Sequence, residues 1–377
     1  MADVDDPDAR AAASGPDPAD ASAARPGGPT EPHGSGDEDD FRPQPITDPD
    51  QATRAVGAAL AEAFASAREV FAEVDQALGQ DLSGLMRDGP EDQLTLTENA
   101  QPALMAVSLA VVRVLDRDFG VAVDRASFVA GHSLGEYSAL AASGALALAD
   151  TARLLKLRGQ AMQRAVPVGR GAMASLIGPK TDLALAEAAA QAGSELGVCV
   201  VANDNNAGNI VISGDKAAVD RAIEKAKELG ARSIPLNVSA PFHCPLMQPA
   251  ADEMAQALSS AAIAAPRLPV VANVTARPET DPETLRRLLV EQVTGRVRWR
   301  ESMEWLASEG GVTRFVEVGS GKTLVALRAM LRVVDSGTSS GALGLAVLAA
   351  SGAHDARRGA ALAQASTARS CQLFVVD

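Results

Sequence analysis

Hydrophobic and polar positions along the chain form two kinds of pattern, a helical repeat and short continuous apolar runs. Apolar residues recur every three to four positions over 52–78 and 101–117, which predicts amphipathic helices. A short apolar run at 126–130 precedes the sequence GHSLGE and an Ala-rich stretch, a pattern typical of a strand, a tight turn and a helix. Apolar runs at 270–274 and 313–319 predict two further strands of the same unit.

Residues 171–237 show a different order of predicted elements. Apolar runs and helical segments alternate there in the order strand, helix, strand, strand, helix, strand, which is the order of a ferredoxin-like module. The pattern predicts an α/β protein whose large domain, residues 51–170 and 238–330, contains 171–237 as an inserted small subdomain. Residues 1–50 precede it as a tail, and 331–377 have a Gly/Ser/Ala-rich pattern that predicts no defined element.

Composition changes this picture mainly at the N-terminus. Residues 1–50 hold thirteen Asp and Glu against three Arg, and nine of the 21 prolines, with almost no large apolar side chains. Such a segment buries too little apolar surface to offset its ordering entropy, which predicts a disordered acidic tail. The rest of the chain has few aromatic residues and no basic excess, so we expect no nucleic acid partner.

The spacing of cysteines and histidines predicts no metal site. Cys199, Cys244 and Cys371 form no CxxC pair, and the four histidines form no HExxH or HxH motif. The uncharged stretch 336–354 is mostly Gly, Ser and Ala, too weakly apolar for a membrane span. Because the acidic N-terminus also lacks the basic and apolar regions of a secretion signal, we expect a cytoplasmic protein without a membrane partner.

The strongest chemical motif is Gly131-His132-Ser133-Leu134-Gly135, a G-x-S-x-G sequence between the predicted strand and helix. A sharp turn there would expose the Ser133 hydroxyl, and the glycines remove side chains where backbone segments approach one another. The following helix would point its positive N-terminal end at the same place, with the Leu134 N–H as an oxyanion donor. We therefore interpret Ser133 as a nucleophile, against the alternative of an ordinary tight turn.

A serine nucleophile needs a base, and histidine is the usual one. His33 lies in the tail, His132 adjoins the nucleophile, and His354 lies in the segment without a defined pattern. Elimination leaves His243, in the sequence SAPFHC, as the base, with a structural histidine beside a proline turn as the alternative. No acidic residue between Ser133 and His243 has the context of a third triad member, so another group, such as a backbone carbonyl, would orient the histidine.

Arg158 follows the serine within the next helical segment, in the sequence KLRGQ. An arginine at this point could form a bidentate pair with a substrate carboxylate. It could equally be a solvated arginine on a helix surface, and the residues alone leave both interpretations open.

These segments together resemble malonyl-CoA:acyl carrier protein transacylase of type II fatty acid synthesis. The resemblance runs from about Val56 to about Leu324 and includes GHSLGEYSAL, NNAGNIVISG, APFHCPLM and FVEVGSGKTL, in that order. It implies an α/β-hydrolase-like large domain with an inserted ferredoxin-like subdomain, and a ping-pong reaction without a cofactor. Ser133, with His243 as base, would take the malonyl group from malonyl-CoA as an ester, and the phosphopantetheine thiol of acyl carrier protein would remove it.

The resemblance also implies roles for polar residues around the serine. Arg158 matches the arginine that pairs with the malonyl carboxylate. Gln292 matches the glutamine whose backbone carbonyl orients the catalytic histidine, here His243, which would explain the missing acid. Gln101 and Asn205 match polar positions that line the cleft.

A basic surface near the cleft is a further expectation, because acyl carrier proteins are acidic. Arg296, Arg298 and Arg300, which alternate along one short segment, are the candidates. The alternative is that they form an ordinary solvated rim. If they bind the carrier, charge reversal at all three should raise the apparent KM for it.

The chain departs from the family pattern at its N-terminal side. The family begins with a strand and a G-Q-G-x-Q loop, whose first glutamine contributes to the oxyanion hole, and this chain has no such motif. We expect the loss of a central strand and of one oxyanion contact, and one such donor is worth about 10²–10³ in rate. Two alternative functions therefore stay open: a serine esterase or thioesterase, which would turn over without a thiol acceptor, and an inactive remnant that cannot assemble.

Overall fold

The computed structural model describes residues 49–319, 344–349 and 372–376. The α-helices are α1 (Pro49–Ala63), α2 (Ala65–Leu78), α3 (Leu82–Asp88), α4 (Glu91–Leu94), α5 (Thr97–Phe119), α6 (Leu134–Ala142), α7 (Leu148–Ala165), α8 (Leu183–Gly193), α9 (Lys216–Glu228), α10 (Gln248–Ser260), α11 (Pro282–Thr294) and α12 (Trp299–Ala307). The strands are β1 (Phe128–Gly131), β2 (Gly171–Ile177), β3 (Cys199–Asn206), β4 (Asn209–Asp215), β5 (Arg232–Pro235), β6 (Val270–Ala272), β7 (Arg277–Glu279), β8 (Arg314–Gly319), β9 (Gly344–Ala349) and β10 (Gln372–Val376). The predicted acidic tail, up to residue 48, and most of the predicted segment 331–377 lie outside the described residues.

Among the described residues, six strands form the larger sheet, in the order β7-β6-β1-β10-β8-β9. All neighbours are parallel except β7, which pairs antiparallel with β6. Strands β1, β6 and β8 confirm the predictions made from the apolar runs. Parallel strands are covered on both faces and therefore read as continuous apolar sequence, which is why these three could be recognised.

The centre of this sheet differs from the sequence-based expectation. The absence of the family's first strand predicted an empty central position, and this prediction is wrong because β10 lies between β1 and β8 and pairs in parallel with both. Its register places Val376 beside Gly131 of β1 and Val318 of β8. A strand is needed there, since an open slot would leave main-chain N–H and C=O groups of both neighbours without partners.

Apolar side chains of the central strands pack on both faces of the sheet. Val129 and Val316 belong to a hydrophobic cluster that includes α5, whereas Ala130 and Phe315 belong to a second cluster that contains Trp299 of α12. Successive residues of a strand point to opposite faces, so helices cover both sides of the sheet.

Strands β2 to β5 form a separate antiparallel sheet in the order β3-β4-β2-β5. Helices α8 and α9 pack on this sheet and give the order β-α-β-β-α-β along the chain. The α/β fold class with an inserted ferredoxin-like module is therefore confirmed. The exact limits of the domains, such as 171–237 for the small one, stay predictions.

Both predicted helical segments are helical, with limits that the periodicity did not give. The periodic segment 52–78 lies in two helices, because Phe64 adopts extended angles between α1 and α2 and its ring packs edge-on against Phe119 at 5.8 Å. Helix α5 begins at Thr97, four residues before the predicted start, and it continues through Pro102. A proline removes only one main-chain donor, and α5 tolerates this loss in its second turn.

Candidate active site

Ser133 lies at the turn between β1 and α6, at the carboxyl end of a parallel strand. Its backbone angles are φ 52° and ψ −107°, a conformation that costs a non-glycine residue about 1–3 kcal/mol. Gly131 is required beside it, because a Cβ there would lie 1.9 Å from the Gly135 carbonyl oxygen. Leu134 opens α6, where helix geometry leaves its N–H without an intrahelical acceptor and available to an oxyanion.

His243 is the group that contacts the Ser133 hydroxyl, with its Nε2 2.7 Å from the serine Oγ. Its Nδ1 lies 2.9 Å from the backbone carbonyl oxygen of Gln292. Because a carbonyl only accepts, Nδ1 carries the proton and Nε2 is left to accept one from the serine. Burial, and next the positive charge of Arg158, lower the pKa of His243 to about 3, so the imidazole is a neutral base over the physiological pH range.

Arg158 is buried, with 2% of its surface exposed, so the alternative of a solvated helix arginine is wrong. Its Nη1 donates to Gln101 Oε1 at 2.7 Å, and its Nη2 donates to Ser133 Oγ at 3.1 Å and Gln292 Oε1 at 3.0 Å. These acceptors are all uncharged, and Nε has no hydrogen-bond partner among the described residues. Burial lowers the pKa of Arg158, but a guanidinium stays charged in proteins, so this site favours an anionic ligand.

The two remaining predicted residues contact different neighbours of the Ser133 side chain and backbone. Gln101, buried on α5, accepts from Arg158 and donates through Nε2 to Thr97 Oγ1 at 2.9 Å, so it orients the guanidinium. Asn205, on β3, is instead hydrogen-bonded through its Oδ1 to His132 Nε2 at 2.9 Å. The structure therefore brings Gln101 into the cluster around Ser133 and places Asn205 against His132, the residue that precedes Ser133.

Two buried polar residues in the site were not recognised from the sequence. Asn273 directly follows β6, accepts the Ser133 N–H through Oδ1 at 2.7 Å and donates through Nδ2 to the Gly131 carbonyl at 2.7 Å. Glu136, in the first turn of α6, accepts through Oε2 from the Asn273 N–H at 3.1 Å and from Gln292 Nε2 at 2.7 Å. Burial raises the pKa of Glu136 to about 7. The sequence offered one indication of Asn273, which is a polar residue directly after the apolar run VVA at the carboxyl end of a predicted strand.

The predicted basic surface is locally neutralised by carboxylates of the same chain. Each of the three arginines forms an ion pair, and the pairs are Arg296–Glu187, Arg298–Glu301 and Arg300–Asp204. Asp204 is fully buried and also receives Arg300 Nε at 3.1 Å, so this pair joins β3 to α12. These contacts favour the alternative of a solvated rim, in which the arginines pair with carboxylates of the same chain.

The described segments lack the features of a metal site and of a membrane span. Those residues contain no group of three or more His, Cys, Asp or Glu side chains placed to hold a metal ion. None of the helices in 49–319 combines the length and apolar character that crossing a bilayer requires. Cys199 and Cys244 are buried free thiols.

Comparison with known proteins identifies the family. The acyl transferase domain family matches residues 52–354. The malonyl CoA-acyl carrier protein transacylase of Escherichia coli K12 is 43% identical over 295 residues, which cover 78% of this chain and 93% of that protein. A crystal structure of acyl-carrier-protein S-malonyltransferase from Bartonella henselae has a TM-score of 0.75 at 48% identity, covering 82% of this chain and 94% of that one.

A third relative was solved together with its protein partner. That structure is a complex of a type II polyketide synthase acyl carrier protein with its malonyl-transacylase, and it matches with a TM-score of 0.74 at 38% identity, covering 81% of this chain and 94% of that one. Every residue of the candidate site, from Gln101 to Gln292, lies within the matched segment 52–354. The chain belongs to the acyl transferase domain family and, within it, to the malonyl CoA-acyl carrier protein transacylases.

Proposed function

We propose that this protein transfers the malonyl group from malonyl-CoA to the phosphopantetheine thiol of acyl carrier protein, through an ester on Ser133. The observation that carries the proposal is the meeting of three groups at one oxygen. Ser133 Oγ lies 2.7 Å from a neutral imidazole nitrogen of His243 and 3.1 Å from the buried guanidinium of Arg158. A base and a carboxylate receptor thus flank the same nucleophile.

The first half-reaction forms the ester. Ser133 Oγ attacks the thioester carbonyl carbon while its proton passes to His243 Nε2, and the negative charge on the carbonyl oxygen is stabilised by the Leu134 N–H. The new C–O bond replaces the C–S bond, and the coenzyme A sulfur leaves with the proton from His243. The Gln292 carbonyl, which accepts from Nδ1 at 2.9 Å, stabilises the imidazolium that exists between these two proton transfers.

The second half-reaction uses the same groups in reverse. The carrier thiol gives its proton to His243 and its sulfur attacks the ester carbon. The C–O bond to Ser133 breaks, and Oγ recovers the proton from Nε2. The thioester of the substrate already supplies an activated acyl group, so the reaction as written needs no resident cofactor.

Arg158 would select the malonyl group. Its Nη2 lies beside the oxygen that carries the acyl group, and its N–H groups form the planar fork that binds a carboxylate through two hydrogen bonds. An acetyl group leaves this buried charge without an anion, which disfavours it. Gln101 would keep the guanidinium in place through the 2.7 Å bond to Nη1, and Asn205 would line the cleft beside His132.

The proposal includes a cytoplasmic location. The buried free thiols of Cys199 and Cys244 support it, because cysteines stay unpaired most readily in a reducing compartment.

The release of free coenzyme A, with and without holo acyl carrier protein, tests the proposal. We expect sustained release from malonyl-CoA when the carrier is present, and little beyond one equivalent when it is absent. Ser133→Ala should abolish release, whereas Ser302→Ala is a matched control, because this buried serine of α12 donates through its Oγ to the Arg298 carbonyl that precedes the helix. Sustained release without the carrier would indicate a hydrolase, and equal activity of the two variants would refute the role of Ser133.

A further inference from the structure

We infer that Asn273 and Glu136 are positioning residues that hold the nucleophile turn and the Gln292 side chain in their reactive arrangement. The inference rests on the proposed function in that Ser133 is taken to be the nucleophile. Neither residue touches the reacting atoms: both act on the backbone of the turn and on Gln292, which in turn contacts the reacting groups.

Asn273 clamps the turn from both sides of His132. Its side-chain oxygen accepts the Ser133 N–H, and its side-chain nitrogen donates to the Gly131 carbonyl, both at 2.7 Å. One bond needs an acceptor and the other needs a donor, so together they fix which end of the Asn273 amide faces each residue. The two bonds tie Gly131 and Ser133, the residues on either side of His132, to one side chain. The residue is fully buried, at the carboxyl end of β6, whose partner strand β1 leads into the turn.

Glu136 connects this clamp to Gln292. One carboxyl oxygen, Oε2, accepts both the main-chain N–H of Asn273 and the Nε2 donor of Gln292, at 3.1 Å and 2.7 Å. The other oxygen, Oε1, has no hydrogen-bond partner among the described residues. Since both of these hydrogen bonds are accepted at one oxygen, an amide of the same shape can supply the acceptor.

Gln292 carries the effect to the reacting groups. Its Nε2 also donates to the Ser133 carbonyl at 2.9 Å, its Oε1 accepts from Arg158, and its main-chain carbonyl receives His243 Nδ1. Loss of the Glu136 acceptor or of the Asn273 clamp therefore changes the position of the nucleophile relative to its base. A displacement of about 1 Å at such a centre reduces the rate about 100-fold.

The rate at which a fluorophosphonate probe labels Ser133 measures this positioning without requiring a malonyl substrate. For Asn273→Ala we expect labelling and kcat each to fall about 100-fold, with KM for malonyl-CoA within about threefold of wild type. The matched control is Asn99→Ala, a buried asparagine on α5 that donates to the Gln93 carbonyl and accepts from Lys156. Equal labelling rates for folded N273A and N99A would overturn the inference.

Two substitutions at Glu136 separate positioning from simple loss of packing. Glu136→Gln keeps an acceptor for both donors and should label within about threefold of wild type, whereas Glu136→Ala leaves two buried donors unpaired and should resemble N273A. An E136Q variant as slow as E136A would contradict the inference; should E136A not fold, N273A and E136Q still decide. A wild-type protein that labels at Ser133 but transfers no malonyl group would refute the proposed function and leave this inference standing.

Discussion

Replacing Arg158 should remove selectivity for malonyl over acetyl groups rather than reactivity in general. The guanidinium is buried and contacts Ser133 Oγ at 3.1 Å, and its hydrogen-bond acceptors among the described residues are all uncharged. A malonyl carboxylate would become its counter-ion, whereas an acetyl group has no carboxylate to pair with the guanidinium. Arg158→Ala therefore takes away an interaction that only one of the two substrates makes.

The size of the effect follows from the geometry of the fork. Two charge-assisted hydrogen bonds contribute about 1.5–3 kcal/mol each, and breaking a buried charge pair by removing one partner costs about 3–5 kcal/mol. At 1.36 kcal/mol per factor of ten, kcat/KM for malonyl-CoA should fall about 10²- to 10⁴-fold in Arg158→Ala. Arg158→Lys keeps the charge but loses the planar fork, so its loss should be smaller.

Rapid-quench measurement of acyl-enzyme formation from malonyl-CoA and from acetyl-CoA gives the ratio of the two acylation rates directly. The acetyl rate should change less than about tenfold, because the base and the turn are retained. Arg164→Ala is the matched control, since Arg164 lies on the same helix but forms an exposed ion pair with Glu253. If the acylation rates with malonyl-CoA and acetyl-CoA fall by the same factor in R158A, Arg158 is not the carboxylate receptor.

Three further predictions concern acid stability, helix packing and the central strand. Burial lowers the pKa of His243 from 6.5 to about 3, so between about pH 6 and pH 4 the unfolded chain binds a proton that the folded chain does not. The free energy of unfolding should therefore fall with decreasing pH by about 1.4 kcal/mol per pH unit more in wild type than in H243Q, as measured by urea unfolding. Gly159→Ala should lower both the melting temperature and kcat, because a Cβ there would lie 2.5 Å from Glu98 Cα and push α7, with Arg158, away from α5. Deletion of residues 371–377 removes β10 from between β1 and β8 and should abolish cooperative thermal melting.

Each of these predictions has its own control. Equal acid slopes for wild type and H243Q would contradict the buried neutral histidine. Gly57→Ala is the control for Gly159, because its Cβ would lie nearest to the movable terminal methyl of Met86, at 3.0 Å, and would make ordinary contacts otherwise, while alanine favours the helix by up to about 1 kcal/mol. Similar damage in both alanine variants would refute the packing argument. A truncated chain that melts cooperatively at the wild-type temperature would show that the sheet does not need β10.

The proposed nucleophile and its base could both be predicted from the sequence. Ser133 lies in a motif whose spacing encodes the turn, and His243 remained after the other three histidines were eliminated. Central parallel strands such as β1 and β6 are continuous apolar runs, so they too could be recognised.

The remaining features depend on contacts between distant parts of the chain. Asn273 becomes part of the site only because β6 lies beside β1, which brings its side chain to Ser133. The sequence predicted Arg300 as a surface charge, and its ion pair with the buried Asp204 forms only because the fold brings β3 against α12. The pairing of β10 with β1 joins residues more than two hundred positions apart, for which no local pattern exists.

The most direct test of the account is intact-protein mass spectrometry of the folded chain after mixing with malonyl-CoA, followed by addition of holo acyl carrier protein. We predict one malonyl group per chain, mapped to Ser133 by peptide analysis, absent from Ser133→Ala and transferred to the carrier when it is added. The absence of an adduct on folded wild-type protein, or an adduct on a residue other than Ser133, would contradict the account.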